Sequence, residues 1–293
     1  MFENLPKFVF FTGKGGVGKT CVSALIVKML SESSSAKILA IDADPAVGLS
    51  FPLGIRVNKT VDDIRNDLIK RLETGDRTNR DELIKLLDYE IFNAVEEKEN
   101  LAFLAIGRPE GDGCYCQVNA LLKDIIKDLA GNFDFVVIDA EAGVEQISRR
   151  VMEMVTHLLL VSDTSLKGRN VVRTIHRVAK EKCSFEKSGL IFNRMRDQQE
   201  IDAVISKTNL PLIGTMIENE SIRNFDREGR SFFDLPSSDA VTALNHSINT
   251  FLNKKQIRSI FKEDGEKRMN IQSIRKPLSK PKHNLPGDPT PDY

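Results

Sequence analysis

Residues 13–20 read Gly-Lys-Gly-Gly-Val-Gly-Lys-Thr, a glycine-rich run that ends in a lysine and a threonine. The glycines allow backbone turns that other residues disfavour, so that successive amide groups can point inward at a polyphosphate. In such a loop Lys19 reaches the β- and γ-phosphates, and the Thr20 hydroxyl binds Mg²⁺. The motif predicts a nucleotide and Mg²⁺ site formed by Gly13, Lys14, Gly15, Gly16, Val17, Gly18, Lys19, Thr20 and Cys21.

The residues on both sides of this loop are typical of a strand–loop–helix unit. Residues 7–12 predict a buried strand, and apolar residues recur at helical spacing after the loop. The phosphates would then lie at the N-terminus of this helix, where unpaired N–H groups bind anions. This context favours phosphate binding over an ordinary glycine-rich turn.

Two aspartates follow apolar runs elsewhere in the chain. Asp44 belongs to an IDADP segment, and Asp139 ends the run FDFVVID in the form of a Walker B element. Ligands of parallel α/β sheets bind beside the carboxyl ends of the strands. We expect Asp44 to orient attacking water or to support the Mg²⁺ shell, and Asp139 to contribute to that shell. We expect Asp42 to buttress its strand end, and Gly143 to offer its amide to the γ-phosphate.

The strands that would position these residues are continuous apolar runs separated mostly by helical patterns. They cover residues 7–12, 37–41, 101–106, 133–138, 157–162, 189–193 and 212–214. Continuous hydrophobicity is typical of parallel strands that are covered on both faces. The sequence therefore predicts an α/β fold with a doubly wound, mostly parallel sheet flanked by helices.

A single domain is expected to hold this sheet. It would span residues 1–255, with a helical insertion over about 60–98 and a last helix over 237–254. Residues 256–293 are polar and rich in proline, a composition typical of a flexible, disordered tail.

Charge and hydropathy disfavour two classes of function. Among 293 residues, Lys+Arg and Asp+Glu both number 42, so the net charge gives no reason to expect nucleic acid as a partner. No apolar run reaches the length of about 18 residues that a membrane-spanning helix needs, and no signal-peptide pattern precedes the loop. We therefore expect a cytoplasmic protein without stable membrane insertion, whose four cysteines form no structural disulfides.

Cys114 and Cys116 form a Cys-x-Cys pair between glycines and a predicted helix. Side chains two residues apart point the same way on extended backbone, which the glycines favour. The N-terminus of the following helix would favour thiolates. Two thiolates are half of a tetrahedral Zn²⁺ site, and a two-fold dimer would supply the pair twice. From these residues alone, a metal site, a redox pair and plain surface thiols all remain open.

Four segments together resemble one class of P-loop ATPases over residues 7–254: the loop GKGGVGKT, IDADP, VVIDAEAG and IFNR. This is the MinD/ParA/nitrogenase iron-protein class, which has a deviant Walker A loop with an additional lysine, here Lys14. The resemblance implies an ATP-hydrolysing homodimer in which Lys14 reaches across the interface to the partner's nucleotide. It also implies that Asn193 recognises adenine and that residues 211–218, beginning at Pro211, make further base contacts. Lys14 and Lys19 would stabilise the transferring phosphoryl group.

Within this class, the segments IDADP, EGDGCYC and DAEAG most resemble the CooC-type accessory ATPases, which help insert nickel into carbon monoxide dehydrogenase. The resemblance implies that Cys114 and Cys116 of both subunits hold Zn²⁺ or Ni²⁺, and that a metalloenzyme is the client. Two thiolates per chain do not distinguish these ions. The sequence departs from the family at Cys21, where a second threonine or serine is frequent, and in its proline-rich tail.

Two other functions fit parts of the sequence. A MinD/ParA-like positioning ATPase, acting on a membrane or DNA, is favoured by residues 251–262, which mix apolar and basic side chains as interfacial helices do. An iron–sulfur reductase of the nitrogenase iron-protein type would need a cysteine in the loop after the Walker B strand, and residues 139–143 contain none. The sequence therefore favours an ATP-dependent metallochaperone.

Overall fold

A computed structural model of the chain describes residues 6–33, 35–74, 79–108, 116–141, 155–197, 199–200 and 210–252. Its strands are β1 (Lys7–Gly13), β2 (Ile38–Ala43), β3 (Glu96–Lys98), β4 (Leu101–Ala105), β5 (Phe135–Ala140), β6 (His157–Ser162), β7 (Lys187–Met195) and β8 (Leu212–Ile217). They form one eight-stranded sheet in the order β3-β4-β2-β5-β1-β6-β7-β8. All neighbouring pairs are parallel except β3 with β4.

Helices cover both faces of the sheet. They are α1 (Lys19–Ser33), α2 (Ser50–Leu53), α3 (Val61–Glu73), α4 (Arg80–Ala94), α5 (Cys116–Ala130), α6 (Leu166–Lys182), α7 (Glu220–Glu228) and α8 (Asp239–Phe251). Phe10 of β1 lies in a core with residues of α3, α4, α5 and α6, whereas Phe11 lies in a second core with residues of α1, α7 and α8. The doubly wound, mostly parallel sheet predicted from the apolar runs is confirmed.

Helices α3 and α4 begin where the helical insertion was predicted. The Thr60 hydroxyl accepts a hydrogen bond from the Asp63 amide, and the Asp63 side chain accepts from the Thr60 amide, which forms a capping box. Ile64 of α3 and Leu87 of α4 are buried in the first core. The insertion is not helical to its end, since Glu96–Lys98 forms the antiparallel edge strand β3.

The last described helix, α8, is anchored at the amino edge of the sheet. The Lys7 ammonium donates to the Leu252 carbonyl at 2.6 Å, and the Lys187 ammonium donates to the Phe251 carbonyl at 3.1 Å. Phe251 and Leu252 are buried. These two residues therefore belong to the core rather than to an exposed interfacial helix, and residues 253–262 of that predicted segment lie outside the described residues. The described part of the chain contains no helix long and apolar enough to cross a membrane.

Candidate nucleotide site

The glycine-rich loop connects the central strand β1 to helix α1, as predicted. Strand β1 ends at Gly13 and α1 begins at Lys19, whose side chain is buried. Gly18 has a φ of +82°, and a Cβ atom there would lie 2.6 Å from the Asn193 Nδ2 atom. Only glycine combines this left-handed backbone with so close a neighbour. The loop is therefore shaped by its glycines and held against strand β7.

Asp139 lies at the carboxyl end of β5, beside the start of α1. Burial raises the pKa of its carboxyl to about 6, although the nearby Thr20 and Ser23 hydroxyls and the Lys19 ammonium favour the charged form. Its Oδ1 atom is buried and has no hydrogen-bond partner among the described residues. An unpaired carboxylate oxygen near a threonine hydroxyl fits a Mg²⁺ coordination shell, in which oxygen ligands are preferred. Thr20 and Asp139 thus lie close together, and their binding of Mg²⁺ remains a prediction.

Asp42 lies beside Asp139, because β2 and β5 pair in register at these two residues. The fully buried carboxylate of Asp42 accepts hydrogen bonds from the Asp44 amide at 3.0 Å and the Leu49 amide at 2.8 Å. Burial raises the pKa of Asp42 to about 7, and Asp139 and Asp44 add to this rise. The expectation that Asp42 buttresses its strand end is confirmed.

Asp44 begins the loop that Asp42 holds. Its Oδ1 atom accepts from the Ala46 amide at 2.9 Å, and its side chain is partly exposed at the same sheet edge as Asp139. Because that carboxylate is accessible, it is placed to contact water or the hydration shell of a metal. Its role in either remains a prediction.

Asn193 and Arg194 hold the glycine-rich loop from the end of β7. The Asn193 Nδ2 atom donates to the Val17 carbonyl at 2.8 Å, and the Asn193 Oδ1 atom accepts from the Arg194 amide at 2.9 Å. Arg194 has a φ of +59°, and its Nη1 atom donates to the Gly16 carbonyl at 2.9 Å. In this structure the Asn193 amide braces the loop, so adenine recognition by Asn193 remains a prediction. Arg194 was not identified from the sequence.

The segment that starts at Pro211 forms β8, the last strand at one side of the sheet. The Pro211 carbonyl accepts from the Leu190 amide at 2.8 Å, so Pro211 lies at the amino end of β8. Ile217 and Glu218 stand at the other end, where the Glu218 amide donates to the Met195 carbonyl at 2.8 Å. The structure therefore brings the end of the 211–218 segment, and not Pro211 itself, to the edge that carries the loop.

Cys21 follows Thr20 on the first turn of α1. Burial raises the pKa of its thiol to about 12, and Asp226 on α7 adds to that rise. The side chain is therefore a neutral thiol at physiological pH. A neutral S–H group can still act as a weak hydrogen-bond donor, which is the part that a threonine or serine hydroxyl would play.

Lys14 is bound to its own chain. Its Nζ atom lies 2.5 Å from Asp163 Oδ2 and 3.4 Å from Ser165 Oγ. Asp163 follows strand β6, which pairs with β1 up to Gly13. The lysine that was expected to cross a dimer interface therefore has an ionic partner within the subunit, and Asp163 was not identified from the sequence.

Part of the predicted site lies outside the described residues, namely Gly143 and Cys114. Cys116 is the first residue of α5. Within the described ranges, no group of three histidine, cysteine or acidic side chains is arranged to hold a metal ion. Cys21 is a free thiol.

Fold and site together define a P-loop nucleotide-binding protein with an additional lysine in the loop. The family described as the CobQ/CobB/MinD/ParA nucleotide binding domain matches residues 8–232. The chain therefore belongs to this family.

Three relatives illustrate the similarity. The chain is 38% identical over 254 residues to an uncharacterised ATP-binding protein of Methanocaldococcus jannaschii, covering 83% of this chain and 98% of that protein. It is 25% identical over 236 residues to the carbon monoxide dehydrogenase accessory protein CooC of Rhodospirillum rubrum, covering 76% of this chain and 88% of CooC. The septum site-determining protein MinD of Pyrococcus horikoshii, solved with Mg-ADP, aligns with a TM-score of 0.62 at 22% identity, covering 86% of this chain and 99% of that chain.

Proposed function

We propose that this protein is a homodimeric ATPase that works as a metallochaperone, assisting insertion of a metal, nickel first of all, into a metalloenzyme such as carbon monoxide dehydrogenase. The main support is the position of Cys116, the second cysteine of the Cys-x-Cys pair, relative to the nucleotide site. Helix α5 connects the parallel strands β4 and β5, so it runs antiparallel to them. Its first residue, Cys116, therefore lies at the carboxyl edge of the sheet, the edge that also carries the loop of residues 13–20.

Similarity to CooC gives this juxtaposition a specific meaning. The match covers 88% of the CooC protein of Rhodospirillum rubrum, which is named as an accessory protein of carbon monoxide dehydrogenase. In the proposed dimer, Cys114 and Cys116 of both subunits supply four thiolates to one Zn²⁺ or Ni²⁺ ion. The metal is the cargo of the chaperone and is handed to the client enzyme.

ATP would be bound by the loop and by Lys19, with Thr20 and Asp139 holding Mg²⁺. Mg²⁺ bound with ATP neutralises charge on the β- and γ-phosphates. Lys19 and the Lys14 of the second subunit stabilise charge on the transferring phosphoryl group, and Asp44 orients the attacking water. ATP binding then favours the closed dimer, and hydrolysis favours its opening.

Metal analysis with size measurement tests this proposal directly. Purified protein should carry about one divalent metal ion per dimer, and a Cys114→Ser/Cys116→Ser double variant should carry none. The matched control is Cys183→Ser, which removes the cysteine that follows helix α6 and should retain the metal. Equal metal content in wild type and the double variant would refute the metal site, whatever the ATPase activity.

A second experiment tests the ATPase part alone. Lys19→Ala should abolish ATP binding or turnover, because it removes the buried ammonium that reaches the phosphates. Lys14→Ala should mainly block ATP-dependent dimerisation. A Lys14→Ala variant that dimerises and hydrolyses ATP like wild type would show that the lysine does not complete a partner's site.

The alternative is a MinD/ParA-like positioning ATPase. Its support in the sequence is weakened by the burial of Phe251 and Leu252, since these two apolar side chains of the predicted interfacial segment lie in the core. Flotation with liposomes of anionic lipid, with and without ATP, separates the two functions. ATP-dependent flotation that requires Lys254, Lys255 and Arg258 would favour the positioning function.

A further inference from the structure

The additional lysine of the loop is held by a two-residue anchor in its own subunit. The Lys14 ammonium lies 2.5 Å from Asp163 Oδ2 and 3.4 Å from Ser165 Oγ. The Ser165 hydroxyl also donates to the other carboxylate oxygen, Asp163 Oδ1, at 2.6 Å. Both oxygens of Asp163 are thus engaged, one by the lysine and one by the serine.

Asp163 is fixed by the elements around it. Ser165 caps helix α6 by accepting from the Gly168 amide at 3.0 Å, and a Cβ atom on Gly168 would lie 2.2 Å from Asp163 Oδ1. The neighbouring Thr164 hydroxyl donates to the Glu200 carboxylate. The Asp163 carboxylate is therefore held in a tightly packed turn, in an orientation that allows it to bind the Lys14 ammonium.

The ion pair between Lys14 and Asp163 is electrostatically favourable and remains partly exposed. Burial of Asp163 raises its pKa, but hydrogen bonds from Lys14 and Ser165 outweigh that effect and lower the pKa below its usual value. The Lys14 and Asp163 side chains are 24% and 31% exposed. Water and a competing anion can therefore reach the ammonium, so that the ion pair can exchange for another partner.

We propose that Asp163 is a positioning residue that keeps Lys14 on its own subunit while no nucleotide-bound partner is present. The phosphates of the partner's ATP compete with Asp163 for the ammonium, so that closure of the dimer exchanges one ion pair for another. The inference rests on the proposed function, in which Lys14 acts across the dimer. Because dimerisation must first break the ion pair between Lys14 and Asp163, the monomer–dimer equilibrium lies further toward the monomer than it would without this pair.

The test measures dimerisation with a non-hydrolysable ATP analogue and Mg²⁺ by sedimentation velocity over a range of protein concentrations. Asp163→Asn should tighten the dimer dissociation constant roughly two- to fivefold, the range set by a partly exposed ion pair. Asp88→Asn, on the exposed face of α4, removes the same charge far from the loop and should change nothing. Asp163→Ser serves as a second variant if the asparagine variant is unstable.

The Lys14→Ala variant, which should not dimerise, separates positioning from other effects of Asp163. If Asp163 acts through Lys14, adding Asp163→Asn to this variant changes neither the affinity of the monomer for the analogue nor its free energy of unfolding. A change in either quantity in the Lys14→Ala background, large enough to account for the tighter dimer, would show that the carboxylate acts on the nucleotide charge or on folding, and would overturn the inference.

The outcomes also distinguish this inference from the proposed function. Wild type that forms a Lys14-dependent dimer, together with an Asp163→Asn variant that dimerises no more tightly, would refute the anchor and leave the function standing. Wild type that forms no dimer with the analogue would refute the assembly and the anchor together.

Discussion

Asn193→Ala tests whether the nucleotide loop is braced before any nucleotide binds. The Asn193 Nδ2 atom donates to the Val17 carbonyl at 2.8 Å, and Asn193 is only 7% exposed. Removal of the amide leaves a buried carbonyl without its donor, which costs about 1–3 kcal/mol. Because both groups are uncharged, we expect the lower half of that range, about 1–2 kcal/mol of the free energy of unfolding.

Urea denaturation of nucleotide-free protein measures this loss. The matched control is Asn132→Ala, because the exposed Asn132 side chain donates to the Asp128 and Leu129 carbonyls at 3.2 Å in water-accessible surroundings. Its removal should change the free energy of unfolding by less than about 0.5 kcal/mol. An Asn193→Ala variant no less stable than this control would refute the bracing role.

The same variant separates bracing from base recognition. If Asn193 only shapes the loop, ADP and GDP affinities should fall by the same factor in calorimetric titrations. If the amide also recognises adenine, the preference for ADP over GDP should fall in addition. The two results are independent, because the loss of stability is measured without nucleotide.

Three further changes have expected outcomes. Gly18→Ala should abolish ADP binding in calorimetry, because its Cβ would lie 2.6 Å from Asn193 Nδ2 at a φ of +82°, whereas Gly229→Ala, with a φ of +64° and nothing within 4 Å, should bind normally. Burial lowers the pKa of His157 from 6.5 to about 4, so the stability present above pH 6.5 is lost as the pH falls, by about 2 kcal/mol between pH 7 and pH 5. In denaturation experiments the His157→Gln variant should lack this loss, whereas the control His246→Gln should keep it. An equal change of unfolding free energy with pH in wild type and both variants would contradict the shift. Cys21, with its thiol pKa raised to about 12 by burial, should resist iodoacetamide in the folded protein and react in urea, as peptide mass spectrometry would show, and rapid labelling of the folded protein would contradict a neutral thiol.

Most of the sheet was predictable because its strands are buried on both faces. Each of the seven predicted runs overlaps a strand, since continuous apolar residues are typical of parallel strands that are covered on both faces. Strand β3 was missed for the opposite reason. Its three residues, Glu96–Lys98, are all charged and pair only at the sheet edge, so no hydrophobic pattern marks them.

Residues of the site that belong to a sequence motif were predictable. Residues that reach the site only through the order of neighbouring strands in the sheet were not. Arg194 and Asp163 contact the loop across 178 and 149 positions of sequence. Those contacts arise because β6 lies beside β1 and β7 beside β6. A signal for Asp163 was nevertheless present: it follows the apolar run HLLLVS, the same pattern that singled out Asp139. Asp163 therefore carries the same sequence signal as Asp139.

The strand end at Asp42 joins the two halves of the proposed mechanism. Its carboxylate holds the Asp44 and Leu49 amides, and its backbone carbonyl accepts from the Ile106 amide at 2.8 Å. Ile106 opens the segment that leads to Cys114 and Cys116. In the proposed mechanism, a closure that moved the Asp44 loop would therefore act on a residue that also anchors the start of the cysteine segment. In that mechanism, one buried aspartate would be enough to connect ATP binding with metal binding. An Asp42→Ala variant is then expected to hydrolyse ATP while its metal occupancy no longer changes with nucleotide.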